Sequence, residues 1–481
     1  MLTILGSPPR VCNNHTRREV LQAAGLGLFG LSLPKMLAAE NTASATTPFR
    51  NGPAKSVLFL LLFGGPSQLE TFDMKPEAPD SIRGPFRPIA SRTPGLIVSE
   101  HLPRVAKLTD KFALVRSLNH PYNDHGAVHY IQTGHPHPAR FGPTPDETAV
   151  SPEEWPAMGS VVEFLTQRYN GQSRKLPDYV YLPNRLGALQ GIDRVGQYAG
   201  WLGRGYDALA TSIEKRNSED NPFFRTCTDE ELDFRLKGLA SRAEMRLDRF
   251  TRRRTLLQQF EDVQRSLDAN APVEAFGKIR RRALELATSE EIRTALDIRR
   301  ESQKVRDRYG HHLFGQSVLM GRRLIEAGSR FVTVAWDAPD GYSWDSHRNS
   351  HDLQKFLLPG FDQTYSALLI DLEERGLLDE TLVVAVGEMG RDPKGNSNWG
   401  RGHWTHCFHA LLAGAGIRGG TIYGRSDKYA AYPTENPTSP EDLAATIYKA
   451  FGLDPHMPFT ERDGRPIPLM DKGKALTELF G

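Results

Sequence analysis

Two short runs, Ser56 to Phe63 (SVLFLLLF) and Leu382 to Val386 (LVVAV), constrain this chain more than any other feature. Apart from the serine that opens the first, both are apolar throughout, so neither alternates between a wet and a dry face, and such strands need cover on both sides. Each stops at glycine: Gly64-Gly65-Pro66-Ser67 after the first, Gly387-Glu388-Met389-Gly390-Arg391 after the second. Buried strands that break into polar, glycine-rich loops are the pattern of an open α/β sheet, where ligands bind in the crevice outside the strands' carboxyl ends. Glu388, Arg391 and the later His403 are thereby candidates to meet in one place.

The rest of the chain alternates in the same sense. Pro103 to Leu108 reads as a short helix opened by its proline, and Phe112 to Arg116 and Pro177 to Leu182 read as strands. Gly315 to Ala327 is a helix ended by Gly328, followed by a strand from Arg330 to Trp336. Leu353 to Arg375 is amphipathic, with a break expected at Pro359-Gly360 and a stop at Gly376. Phe408 to Ala413 and Thr421 to Gly424 are further strands. Ser439-Pro440-Glu441-Asp442 supplies a cap, a first-turn proline and early acids for a helix ending at Gly452. The economical architecture is a three-layer α/β domain over 50–481, a mostly parallel sheet covered by helices on both faces. Residues 210–312 carry helical spacing and little β pattern, and read as a helical insertion; its Arg252-Arg253-Arg254 and Arg280-Arg281-Arg282 triplets lie among acids, as a solvated face does.

At the amino end Thr16-Arg17-Arg18 precedes a short apolar run to Leu33 and then Ala43-Ser44-Ala45. Twin arginine, short apolar region and small-residue site, in that order, predict a Tat export signal over residues 1–45, hence the Tat machinery as a partner and a periplasmic or extracellular destination. The run is too short to span a bilayer comfortably, so no membrane span is expected beyond an uncleaved signal acting as anchor. Sixty basic against fifty-eight acidic residues leave a net charge of +2, which gives nucleic acid no electrostatic footprint. With only Cys12, Cys227 and Cys407, a disulfide framework and a cysteine-built zinc site are excluded, one Cys227–Cys407 bridge is left open, and any metal must sit on histidine and carboxylate.

Histidine is densest just after the second strand: His120, His125, His129, His135 and His137, with Asn123 and Asp124 among them. His125 and His129, four apart, share a face of a helix that begins near Asp124, which Asp124 or Asn123 would cap. His135 and His137, flanked by Pro136 and Pro138, are expected in a loop. A second polar group, Trp344-Asp345-Ser346-His347, follows the strand that ends near Trp336.

Several segments together resemble a secreted bacterial family catalogued as domain of unknown function 1501, placed near the alkaline phosphatase and sulfatase superfamily. They are Gly64 to Ser67 through Phe72-Asp73, Trp155-Pro156, Tyr309-Gly310 through Gly315-Gln316, Trp344 to His347, Arg375 to Asp379, Gly387 to Arg391, Gly400 to Trp404, and Asp442-Leu443 to Asp454-Pro455. The resemblance implies an alkaline phosphatase-like fold and a metal site at the strand ends. It makes Glu388 and His403 resemble late ligands of that superfamily, and Asp345 with His347 resemble its Asp-to-His pair. The chain departs from the pattern in three places: Met389 stands where a ligand histidine is usual, Gly64-Gly65 where an aspartate follows the first strand, and no Cys or Ser lies in a formylglycine context upstream of Thr133-Gly134. Ser67, nearest the first strand end, has the simpler reading of a turn serine.

The candidate metal ligands are thus His120, His125, His129, Asp345, His347, Glu388 and His403, suited to one or two divalent ions of the Zn, Mn or Ca type. Arg391 and Asp124 are the candidate catalytic groups, Arg391 to hold an anionic group bidentately. The leading expectation is an exported metal-dependent hydrolase of sulfate or phosphate esters, with a small-molecule or polysaccharide ester as substrate. The alternative is a non-catalytic scaffold on the same fold that holds an anionic or carbohydrate ligand.

Overall fold

Among the described residues the apolar runs become strands of one nine-stranded sheet. In chain order these are β1 (Ser56–Leu61), β2 (Phe112–Leu118), β3 (Tyr179–Leu182), β4 (Leu209–Ser212), β5 (Arg235–Leu236), β6 (Phe331–Ala335), β7 (Thr381–Val386), β8 (Phe408–Ala413) and β9 (Ile422–Tyr423). Their order across the sheet is β9-β2-β8-β7-β1-β6-β3-β4-β5. β1 lies parallel between β7 and β6, Leu60 facing Ala385 on one side and Val334 on the other. β3 and β4 continue the parallel run, while β8 is inserted antiparallel to both β7 and β2 and β5 is antiparallel to β4. This is a computed structural model that describes residues 47–137, 146–170, 176–236, 289–337, 343–460 and 464–481. The export signal and both arginine triplets lie outside the described residues. Leu209–Ser212, at the start of the stretch read as a helical insertion, belongs instead to the sheet.

The helices include α1 (Val128–Thr133), α2 (Met158–Asn170), α3 (Leu313–Glu326), α4 (Leu358–Glu374) and α5 (Pro440–Ala450). Period-two geometry sorts the strand side chains between two cores. Leu58, Leu60, Val332, Val334, Val383 and Ala385 pack with Val318 of α3 and Leu368 of α4. Val57, Phe59, Phe331, Leu382 and Val384 pack with Val161 of α2 and Ile447 of α5 on the other side. Both faces of β1 and β7 are dry at every position, which is why those runs are continuous rather than alternating. Burying each such Val, Leu or Phe contributes about 1.5–3 kcal/mol, an upper figure because the unfolded chain already buries some of that surface.

Caps fall where the residues ask for them. Ser439 accepts from the Asp442 amide while Asp442 reaches back to Ser439, a capping box for α5. Gly328 and Gly376 adopt positive φ just past the ends of α3 and α4. The break expected at Pro359-Gly360 does not occur: a π-turn over Leu353–Leu357 runs straight into α4, and Pro359 sits in its first turn, where a missing amide proton costs little. Cys227 and Cys407 are separate buried thiols, so the bridge left open by the sequence does not form. Among the described residues no helix is long and apolar enough to cross a membrane.

Candidate metal centre

The sheet brings the chemistry to one edge. β1, β2, β6 and β7 run in the same direction and end there, so Gly64, His120 to His125, Asp345 to His347, and Glu388 all emerge at that edge. β8, running the other way, starts there, which places the preceding His403 in the same region. A two-residue antiparallel pair, Gly390–Arg391 with His403–Trp404, then sets Arg391 opposite His403.

Asp345 is the hub. Its Oδ1 lies 3.0 Å from His347 Nε2 and 3.3 Å from His403 Nε2, and its Oδ2 lies 3.4 Å from His125 Nε2. The two imidazoles on Oδ1 are themselves 2.9 Å apart, Nε2 to Nε2. Among the described residues His125, Asp345 and His403 form a group whose ligand atoms all lie within 4.8 Å of one another. His125 turns its other nitrogen, Nδ1, to Glu388 Oε1 at 2.6 Å. Glu388 is fully buried and both of its oxygens accept from the Gly64 amide, at 2.9 and 3.0 Å. A carboxylate that fixes the tautomer of an imidazole whose far nitrogen faces an open donor set is the usual support of a metal-binding histidine.

The charges agree with this geometry. Burial alone would lower the His125 pKa, but hydrogen bonds and charge from Asp345 and Glu388 outweigh it and raise it to about 9. The same two carboxylates that favour the charged imidazole would also favour a cation beside His125 Nε2. Burial would raise the pKa of Asp345; hydrogen bonds from His125 and His403 and the charge of Arg391 hold it far below the ordinary carboxylate range. At His347 burial and the neighbouring Arg391, His403 and His125 lower the pKa, against the pull of Asp345, keeping a neutral nitrogen on offer. Two or three imidazoles with one carboxylate make an N/O donor set that suits Zn or Mn better than Ca, which prefers oxygen throughout.

The other expected residues have different tasks. Arg391, read from the sequence as an anion clamp, is fully buried. Its guanidinium is spent on Asp345, on the carbonyls of Gly64 and Gly65, and on that of Arg401, so it holds Asp345 and the Gly64-Gly65 turn in place. His120 is also committed. Its Nδ1 accepts from the Tyr122 amide at 3.2 Å, which leaves the proton on Nε2 to donate to the Glu388 carbonyl at 2.7 Å, and burial lowers its pKa to about 4. His129 is buried in α1, edge to face with His137 rather than with His125: the chain passes through a 3-10 turn at His125–Ala127 before α1 begins, and the four-residue spacing does not share one face. Asp124 is exposed and caps that turn through the Gly126 amide at 3.0 Å. Met389 is buried against Gly65 and takes no part as a ligand.

Sequence reasoning missed the importance of Gly64-Gly65. At φ +110° a Cβ on Gly64 would lie 2.3 Å from the Asp345 amide nitrogen, and at φ +81° one on Gly65 would lie 2.5 Å from the Met389 carbonyl. Where an aspartate side chain would fill the space, bare backbone lets the β1, β6 and β7 loops close on each other. A glycine pair directly after a buried strand was the available signal. The Asp345–His347 loop is fastened from outside as well, with Asn396 Nδ2 donating to the His347 carbonyl at 3.0 Å and the Arg401 amide donating to that of Ser346 at 3.0 Å.

A family model described as "Protein of unknown function (DUF1501)" matches residues 54–480. The chain belongs to the DUF1501 family. Solved structures similar to this DUF1501 protein include the PsFucS1 sulfatase from Pseudoalteromonas sp., at 12% identity over 87% of this chain and 73% of that one with TM-score 0.38. A phosphonate monoester hydrolase from Silicibacter pomeroyi is 13% identical over 88% and 76%, with TM-score 0.32. A protein in the alkaline phosphatase superfamily from Vibrio parahaemolyticus is 11% identical over 85% and 70%, with TM-score 0.33. No curated protein sequence matches the chain.

Proposed function

We propose that this DUF1501 protein is an exported, metal-dependent hydrolase of sulfate or phosphate esters, with His125, Asp345 and His403 holding the cation and His347 at its open side. The observation that carries the reading is the Glu388–His125–Asp345 chain: a buried carboxylate orients an imidazole toward a second carboxylate that two further imidazoles approach. A divalent ion held by His125, Asp345 and His403 would supply Lewis-acid polarisation of an ester oxygen and would lower the pKa of water there from ~15.7 toward ~7, chemistry that needs no protein hydroxyl or thiol as nucleophile. Glu388 keeps the proton of His125 on Nδ1 and its lone pair on Nε2. Arg391 fixes Asp345 without touching substrate. His347, the most exposed of the set, stands where it can take or give a proton at the leaving oxygen.

A non-catalytic binding protein is the second reading, favoured by the complete commitment of Arg391 to internal partners, which removes the expected anion clamp. One experiment separates the two. Metal content of the mature protein is measured together with turnover of 4-nitrophenyl sulfate and phosphate, for wild type and Glu388→Gln. The hydrolase reading expects at least one equivalent of metal and a loss in metal affinity or rate of about 10–100-fold in the variant. Less than stoichiometric metal after growth in metal-rich medium, or turnover indifferent to chelation, sinks it.

A further inference from the structure

We infer that a cleft beside the candidate centre is a subsite for anionic carbohydrate, holding charged groups on sugar units next to the one whose ester is cleaved. It deepens the hydrolase reading and rests on it for the word "next". The cleft has a volume of 430 Å³ and runs between the segment Met74 to Pro88 and Trp399. That lies within the ordinary range of ligand sites, about 300–1,000 Å³.

Its chemistry is specific. Lys75, Arg83 and Arg87 line it against the single acid Asp80. Lys75 is paired with the buried Asp73 at 2.9 Å, and Arg83 with the exposed Asp80 at 2.9 Å, a solvent-screened contact that a ligand anion can replace at little cost. Arg87 is exposed; its backbone amide is fixed on Glu100 at 2.9 Å, and its side chain has no ion pair among the described residues. An aromatic ring completes the set. Trp399 sits at φ +62°, a left-handed conformation that a bulky side chain avoids unless its surroundings impose it. They do so here: Asn396 Oδ1 accepts from the amides on either side of Trp399, those of Asn398 and Gly400, at 2.8 and 2.9 Å. A Cβ on Gly395 would meet the indole at 3.0 Å, close enough that the ring would have to shift by a few tenths of an ångström to admit one. A held indole together with cationic side chains is the recognition chemistry of a sugar ring that bears sulfate, phosphate or carboxylate.

The cleft is also built, and built onto the centre. The Gly395 amide donates to Ser81 at 3.1 Å and Arg401 Nη2 to the Ile82 carbonyl at 2.9 Å, tying its two walls together. Arg401 and Glu70, both fully buried, pair at 3.2 Å just below Gly84. Gly400, next to Trp399, lies so close to His347 that an added Cβ would fall 2.1 Å from the His347 carbonyl. One loop therefore presents Trp399 to the cleft and braces His347 at the centre.

The test uses the full mature chain and size-matched dextran hexasaccharides, sulfated and uncharged, with inorganic sulfate as competitor. Binding is followed by calorimetry and tryptophan fluorescence in wild type, Arg87→Glu, Trp399→Leu and Asp345→Asn. The sulfated hexasaccharide is expected to bind and the uncharged one not. Because a charge-assisted hydrogen bond contributes about 1.5–3 kcal/mol and each 1.4 kcal/mol is tenfold, Arg87→Glu should weaken binding at least about tenfold. The same variant should leave turnover of the small 4-nitrophenyl esters unchanged. Equal affinity in Arg87→Glu, equal binding of the uncharged sugar, or full displacement by inorganic sulfate at the same concentration overturns the subsite. Binding that depends on Arg87 and survives Asp345→Asn, in a protein that turns over no ester, would uphold the subsite and sink the hydrolase reading alone. Arg87 is exposed, so its substitution keeps the test valid if Trp399→Leu fails to fold.

Discussion

Replacing Asp345 by Asn perturbs the candidate centre at its hub while keeping its shape. The amide oxygen can still accept from Arg391, but the charge that Arg391, His125 and His403 all face is gone. His125 has its pKa raised from 6.5 to about 9 in the metal-free protein, net of a burial penalty that opposes protonation. At 1.36 kcal/mol per pKa unit this is on the order of 3 kcal/mol of linkage, drawn from Asp345 and Glu388 together. The sign follows from the direction of the shift. A raised histidine pKa gives stability that is fully present below pH ~6.5 and is lost as pH climbs through about 9. Wild type in chelator should therefore lose stability between pH 6.5 and 9, and Asp345→Asn should flatten that slope by roughly half. On top of this comes a pH-independent loss of about 2–4 kcal/mol, for a buried guanidinium left without its carboxylate but still bonded to three carbonyls. Urea denaturation in chelator across this pH range reads both quantities, and an imidazole NMR titration places the His125 pKa directly. A variant with wild-type stability and an unshifted His125 would refute the role given to Asp345.

Two further outcomes are expected from other parts of the molecule. Burial lowers the pKa of His120, His135 and His409 to about 4 and that of His129 to about 3, so acid should unfold the protein early: stability present above pH ~6.5 is lost as pH falls from 6.5 toward 4, and a flat stability profile in that window would contradict neutral burial of these rings. Gly64→Ala forces a Cβ against the Asp345 amide at a positive φ, and should cost about 2–4 kcal/mol in strain and overpacking, whereas Gly95→Ala, also at positive φ but with open space around it, should cost only about 1 kcal/mol; equal thermal midpoints for the two would show that the loops do not meet as described.

Much of the fold was legible because burial on both faces leaves an unmistakable trace: β1 and β7 read as continuous apolar runs, and Ser439 with Asp442 announced α5. Strand direction left no such trace. Nothing in Phe408 to Ala413 marks it as the strand that runs against its neighbours, although that reversal is what returns His403 to the edge where Asp345 and Glu388 wait. Leu209–Ser212 is short and only partly buried, so its pattern was lost beside the helical spacing after it. At the site, residue type predicted membership better than task. His125, Asp345, His347, Glu388 and His403 converge. His120 sits beside them but spends its ring nitrogens on backbone groups, and Arg391 spends its guanidinium on carbonyls and on Asp345, a distinction that depends largely on partners far away in sequence. His129 was lost to a local detail, the 3-10 turn that shifts the phase of α1 relative to His125.

The bond between Glu388 and His125 joins residues 263 positions apart, and the one between Glu388 and Gly64 spans 324. No early fragment of the chain can therefore assemble the Glu388–His125–Asp345 arrangement of the finished protein. During synthesis the pocket stays incomplete until residue 403 has emerged and β8 has slotted in beside β7. On the hydrolase reading proposed above, metal loading would report on completed folding, acquired only once the sheet edge has closed.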